Sequence, residues 1–148
     1  METPQSRQTK PVSKWWLGSM LILSFLGFLD ASYLTAKHYL SFEIPCSLLN
    51  GCEQVLTSPY ATLWGIPVAL LGALYYLTVF LFLIAYADRK KAVFLKGVVL
   101  LPIAGFLITL WFVYVQVVML GALCFYCLIS ALITTLLFCL SLFRLRKC

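Results

Sequence analysis

Four long apolar stretches, each long enough to cross a bilayer as a helix, dominate the sequence. They cover about residues 15–40, 66–87, 97–120 and 122–143. About 20 apolar residues in a helix span a hydrocarbon core roughly 30 Å thick, and helices pair all their backbone polar groups internally. The pattern therefore predicts an all-α integral membrane protein with a four-transmembrane-helix bundle. We expect a short tail at residues 1–14 and one membrane domain at 15–148.

The composition leaves no room for a separate soluble module. The chain has 148 residues, of which 63% are hydrophobic and 11% charged. A soluble domain of this size does not have that composition, whereas helical membrane proteins do. The net charge of +6 falls in short clusters beside apolar stretches. Such clusters are typical of membrane orientation and not of a nucleic-acid-binding face, so we expect membrane lipid and no nucleic acid as a partner.

The distribution of Lys and Arg predicts the orientation. Basic residues concentrate in the N-terminal tail, in the loop at 88–96 and in the C-terminal segment at 144–147. Because cytoplasmic loops carry the excess of Lys and Arg, we expect both termini in the cytoplasm. The long loop at 41–64, between the first two spans, contains no Lys or Arg and is predicted to be extracytoplasmic, on the same side as the start of the fourth span.

Two pairs of cysteines fall on that extracytoplasmic side. The membrane pair, Cys124 and Cys127, begins the fourth span, and the loop pair, Cys46 and Cys52, lies in the long loop. Cysteines three apart on a helix share a face, and the positive helix N-terminus favours the thiolate of Cys124. Disulfides form and persist in oxidising compartments. Two further cysteines are expected to be structural or incidental thiols: Cys139 and Cys148.

The two pairs favour thiol–disulfide exchange, in which a thiolate of one pair attacks the disulfide of the other. The loop pair would meet a soluble partner, and the membrane pair would meet a lipid-soluble acceptor of two electrons, for which a quinone fits. The sequence has no haem, dinucleotide or iron–sulfur signature. Two alternatives remain: a non-enzymatic tetraspan scaffold stapled by two disulfides, and a four-cysteine zinc site. The gap between Cys46 and Cys52 is wider than zinc ligand pairs usually have.

Three polar residues in or near the first span have alternative interpretations. Asp30 lies at membrane depth, where an acid is costly; it is either functional or bonded to a neighbour such as Tyr33. Lys37 and His38 fall near the far interface, where we expect Lys37 to snorkel and His38 to be an interfacial residue.

The spacing of the cysteines and the residues between them forms a specific combination. Cys46-x5-Cys52 is followed by Ser58, by Gly65-Ile66-Pro67 with Gly72, and by Cys124-x-x-Cys127 at the start of the last helix. This combination resembles the vitamin K epoxide reductase family, and its bacterial and archaeal members most closely. Tyr33-Leu34-Thr35 with His38 is a weaker part of the same likeness.

The resemblance implies a four-helix bundle around a quinone, open to the extracytoplasmic side. It implies that Cys127 reacts with the quinone, that Cys124 exchanges with Cys52, and that Cys46 takes electrons from a thioredoxin-like or DsbA-like protein. The acceptor would be menaquinone, phylloquinone or ubiquinone, with no metal. The membrane would be a bacterial inner membrane with the site facing the periplasm, or alternatively the endoplasmic reticulum.

A quinone ring needs a mostly apolar pocket with few polar groups. The resemblance implies that Ser58 lies beside the quinone. Trp64, Gly65, Ile66 and Pro67 precede or open the second span on the same side as Cys127, so we expect them to contribute to this pocket.

The chain departs from the family pattern in three respects. Many bacterial members carry a fused thioredoxin-like domain after the last helix, so here the partner is expected to act in trans. Animal members have Thr-Tyr-Ala after the second cysteine pair, where this chain has Ser130-Ala131-Leu132, and Ala61 replaces an asparagine. These changes remove hydrogen-bonding groups, so the resemblance implies quinone reduction more directly than epoxide reduction. The other four-helix quinone-linked oxidase, DsbB, has its Cys-x-x-Cys in the first loop, the opposite arrangement.

Overall fold

A computed structural model describes residues 12–41 and 51–147 and contains four helices long and apolar enough to span a membrane. This confirms the predicted all-α fold with four membrane helices. The elements in chain order are α1 (Lys14–Leu40), α2 (Cys52–Leu56), a 3₁₀ turn (Pro59–Ala61), β1 (Thr62–Leu63), β2 (Ile66–Pro67), α3 (Val68–Arg89), α4 (Ala92–Tyr114), a π-helical turn (Val115–Leu120) and α5 (Phe125–Lys147).

The last two membrane helices differ at their ends from the apolar stretches. Helix α4 begins at Ala92, five residues before the predicted span at 97, and α5 begins at Phe125 and continues to Lys147, past the predicted end at 143. Hydropathy locates the part of a helix that lies in lipid, whereas backbone hydrogen bonding continues into the polar interface. Charged residues such as Lys96 therefore lie within the helix although they end the apolar stretch.

The four long helices form a ring in which each packs against two neighbours. Helix α1 packs on α3 and α5, and α4 packs on the same two helices from the opposite side. The Tyr76 ring of α3 lies directly against Gly27 of α1, where any side chain larger than hydrogen would collide with it. The buried residues at the centre come from all four helices: Met20, Ala31, Ala73, Tyr76, Val79, Leu83, Val98, Ile133 and Leu137.

A hydroxyl cluster ties α3 to α5 inside this core. The Tyr76 hydroxyl is 2.9 Å from the carbonyl oxygen of Ser130, and 2.8 Å from each of the hydroxyls of Ser130 and Thr134. A buried hydroxyl without a partner is costly, so these contacts fix the two helices in register. Ser130 is one of the residues that replace the animal Thr-Tyr-Ala motif, and it retains a hydrogen-bonding side chain.

The segment between α2 and α3 turns in a tight hairpin. Leu63 pairs with Ile66 across a two-residue turn in which Trp64 has φ 50° and Gly65 has φ 80°. Positive φ at both central residues is the geometry of the hairpin turns that match strand twist. The Trp64 side chain at the tip is fully exposed, whereas Pro67, immediately before α3, is buried.

Candidate redox site

Cys124 caps the N-terminus of α5. Its carbonyl accepts the backbone N–H of Leu128 at 3.0 Å, and its sulfur accepts the backbone N–H groups of Cys127 and Tyr126. A side chain that accepts these first-turn N–H groups has the role of an N-cap. The Cys127 thiol also donates to the Cys124 sulfur, and this hydrogen bond is the main cause that lowers the pKa of Cys124 to about 7. Burial and the charge of Asp30 oppose the shift. Cys124 therefore ionises more readily than an ordinary cysteine thiol.

Gln116 makes hydrogen bonds to both residues of the membrane pair. The π-helical turn places its buried amide so that Oε1 accepts the backbone N–H of Cys124 at 3.2 Å, while the side chain also hydrogen-bonds Cys127. The backbone carbonyl of Gln116 accepts the N–H of Ala122 at 3.1 Å, which closes the turn. π-helical turns recur at functional sites. The sequence analysis missed Gln116, although a lone amide in an apolar stretch of helical length is a signal that could have identified it.

The short helix α2 docks its cysteine onto the membrane pair. Cys52 is 2% exposed and Cys124 is 0% exposed, and they are buried in one cluster with Val55 and Ala122. The Gln54 side-chain amide donates to the carbonyl of Leu120 at 3.3 Å. The structure therefore brings together one cysteine of each predicted pair.

Gly51 allows this close approach. A Cβ atom built at this position would lie 2.7 Å from the carbonyl oxygen and 2.8 Å from the backbone nitrogen of Leu123. Both are backbone atoms, which cannot rotate away as a flexible side chain would. The constraint at Gly51 is therefore contact with the chain beside Cys124.

An ion pair holds the other side of α2. The Lys37 ammonium lies 3.1 Å from Oε2 of Glu53, which follows Cys52 in α2. The Lys37 side chain is buried, and its ammonium pairs with the exposed carboxylate of Glu53. His38 is exposed and packs edge-on against the ring of Tyr39.

The Vitamin K epoxide reductase family model matches residues 19–142, which is most of the chain. The chain belongs to the Vitamin K epoxide reductase family. No curated protein matches the chain. Membership in this family and the four apolar helices make the protein a multi-pass membrane oxidoreductase of the Vitamin K epoxide reductase type, in a family that uses quinones as electron acceptors.

The described cysteines of this member of the Vitamin K epoxide reductase family differ in their bonding. Cys52 is disulfide-bonded, whereas Cys124 and Cys127 are free thiols. Cys139 is a free thiol exposed on α5. The predicted partner in the loop, Cys46, and the C-terminal Cys148 lie outside the described residues. Within residues 12–41 and 51–147, no three His, Cys, Asp or Glu side chains cluster as metal ligands would.

A cavity of about 460 Å³ lies between the end of α1 and the α2 segment. The Ser58 hydroxyl, which donates to the carbonyl of Val55 at 2.7 Å, is on its wall. Of the five residues predicted to contact the quinone, the structure places Ser58 on this cavity and the other four in or beside the hairpin turn. The cavity is lined by polar and apolar residues: Leu34, Lys37, His38, Ser41, Glu53, Leu56, Thr57, Ser58, Pro59 and Thr62.

Proposed function

We propose that this protein is a quinone-linked thiol–disulfide oxidoreductase that supports disulfide formation. It would take electrons from a thioredoxin-like or DsbA-like partner through Cys46 and Cys52, pass them to Cys124 and Cys127, and deliver them to a quinone. The observation that carries the proposal is the burial of Cys52 and Cys124 in one cluster, with Cys127 hydrogen-bonded to Cys124 one helical turn further on.

The electrons move by two successive exchanges. A reduced partner opens the loop disulfide and leaves Cys46 and Cys52 as thiols. The Cys52 thiolate then attacks an oxidised membrane pair at Cys124, forms a Cys52–Cys124 mixed disulfide and releases Cys127 as a thiolate. Attack by Cys46 on Cys52 restores the loop disulfide and leaves Cys124 and Cys127 reduced.

In the last step the membrane pair loses two electrons and two protons as its S–S bond forms. The quinone gains both electrons and two protons and becomes a hydroquinone. The structure has a disulfide at Cys52 and free thiols at Cys124 and Cys127, which corresponds to the stage at which the membrane pair holds the two electrons.

For the quinone contacts we propose Ser58 and the hairpin residues Trp64, Gly65, Ile66 and Pro67. The Trp64 side chain at the hairpin tip is apolar and exposed, which suits contact with a lipid-soluble acceptor. The acceptor would be menaquinone, phylloquinone or ubiquinone. We propose cytoplasmic termini and a site that faces the periplasm of a bacterial inner membrane, or alternatively the lumen of the endoplasmic reticulum, because the basic residues flank the opposite ends of the helices.

The direct test follows quinone reduction by the purified protein supplied with a reduced thioredoxin-like protein. Cys127→Ser should abolish quinone reduction while the fold survives. Cys139→Ser is the matched control, because it removes an exposed free thiol from the same helix. A folded Cys127→Ser variant with full activity would contradict the proposal.

The order of the relay is tested by trapping. Cys46→Ser with Cys127→Ser leaves one cysteine in each pair and should accumulate a Cys52–Cys124 disulfide, visible by non-reducing peptide mapping. The opposite double variant, which lacks Cys52 and Cys124, should form a Cys46–Cys127 bond inefficiently. Equal accumulation of both bonds would mean that the cysteines are merely close together.

The scaffold alternative makes a different prediction for the same variants. Two structural staples would require a disulfide at Cys124 and Cys127, which are free thiols with hydrogen bonds to each other. In a scaffold, Cys127→Ser would lower thermal stability and leave electron transfer unaffected.

A further inference from the structure

A half-buried carboxyl group lies in the bundle and has no role in the relay described so far. Asp30 is in the middle of α1, at membrane depth. Its Oδ2 atom is buried and has no hydrogen-bond partner among the described residues. A buried carboxyl oxygen without a hydrogen-bond partner is costly in a membrane span, which favours a functional role over a structural one.

Packing contacts one helical turn to either side of Asp30 along α1 place it beside the membrane pair. One turn towards the loop, the ring of Tyr33 lies 5.3 Å from that of Tyr126, the neighbour of Cys127. One turn in the other direction, Gly27 contacts the Tyr76 ring, whose hydroxyl is bonded to Ser130. Asp30 thus lies where α1 meets α3 and α5, between the level of the cysteines and that of the hydroxyl cluster.

The electrostatic interactions of Asp30 agree with this position. Its charge acts on Cys124 and Cys127, on Tyr126 from α5 and on Tyr76 from α3. These are the titratable groups that face it from the two helices packed against α1. Oxidation of the two cysteines removes two thiol protons, and each needs an acceptor. Among the described residues, Asp30 is a carboxyl group inside the bundle whose charge acts on both of these cysteines.

We propose that Asp30 is the proton-handling residue of the membrane pair: it takes a thiol proton as the Cys124–Cys127 bond forms and returns it towards the reduced quinone. The inference rests on the proposed function, because the protons move only if the pair reduces a quinone.

The proton and electron balance is as follows. Two thiols lose two electrons and two protons, and a disulfide forms. Asp30 carries one of those protons and begins and ends the cycle as a carboxylate. The other proton leaves Cys124 towards the extracytoplasmic face, and water supplies an equivalent proton to the second quinone oxygen. Neutralising the buried carboxylate lowers its desolvation cost, which makes Asp30 a suitable temporary carrier.

The experiment compares Asp30→Asn, Asp30→Glu and the control Asp88→Asn, which makes the same change at an exposed position in the last turn of α3. Each protein is reduced, mixed with a water-soluble ubiquinone analogue, and followed through one turnover across a pH series in H₂O and D₂O. Asp30→Asn should slow quinone reduction by about 100-fold, within the range for loss of an acid–base group. It should also flatten the pH profile and remove the solvent isotope effect. Asp30→Glu should retain most of the rate, and Asp88→Asn all of it.

A second measurement separates this inference from the proposed function. The rate of Cys52–Cys124 trapping, measured in the Cys46→Ser, Cys127→Ser background, should not change with Asp30→Asn. Quinone reduction by Asp30→Asn at the unaltered rate refutes the proton role. So does a variant in which trapping falls as far as quinone reduction, because that result means Asp30 only supports the fold. Failure of the unaltered protein to reduce any quinone refutes the proposed function itself.

Discussion

The contact between Gly51 and Leu123 makes a quantitative prediction about the exchange step. In Gly51→Ala the new methyl group would meet backbone atoms of Leu123 at 2.7 and 2.8 Å and the Ala122 side chain at 3.1 Å, so α2 or the chain before α5 must move. Overpacking of this kind costs about 1–3 kcal/mol. Since 1.4 kcal/mol corresponds to a factor of ten, docking of Cys52 on Cys124 should weaken by about 5- to 150-fold.

The assay measures how fast the Cys52–Cys124 disulfide forms in the trapping background that lacks Cys46 and Cys127. Samples oxidised for increasing times are quenched with an alkylating reagent and mapped under non-reducing conditions. The control is Gly18→Ala in α1, where an added methyl group meets no atom within 4 Å. It should leave the trapping rate unchanged. If Gly51→Ala traps as fast as this control, close approach at Gly51 does not govern exchange and the reasoning is wrong.

Three further predictions concern the groups around the membrane pair. The alkylation rate of Cys124 should rise with pH, with an inflection at about pH 7, and then level off, because the thiolate is the form that reacts. In Cys127→Ala, which lacks the thiol that donates to Cys124, this inflection in the alkylation rate should move to higher pH. Lys37→Glu and Glu53→Lys should each slow thiol–disulfide exchange by the loop pair several-fold. The double charge reversal should recover much of that rate at low salt. A double variant that is no faster than either single variant would contradict a positioning role for the ion pair. Gln116→Leu leaves the buried N–H of Cys124 without an acceptor, so a thermal-unfolding assay should show a loss of about 1–3 kcal/mol.

Properties that repeat along the chain could be predicted from the sequence, and those that depend on one contact could not. Apolar stretches of helical length determine the four membrane helices, and Cys124 lies at a helix start as its position before such a stretch indicates. The partner of Lys37 could not be predicted, because pairing with Glu53 depends on how the loop folds back over α1. Gln116 was missed because its role needs the π-helical turn, which no periodicity reveals. Gly51 has a role that depends on which chain segment passes beside it.

The capping role of the Cys124 sulfur has a consequence for the reduction potential of the membrane pair. The cap and the hydrogen bond from Cys127 stabilise the reduced form, because a thiolate accepts these donors better than a disulfide sulfur does. A cap is worth about 1 kcal/mol, and for a two-electron couple about 1.4 kcal/mol corresponds to roughly 30 mV. The helix end alone therefore makes the membrane pair about 20 mV more oxidising than an uncapped pair would be. In the proposed relay, the first turn of α5 would add to the driving force for electron transfer from the loop pair to the membrane pair.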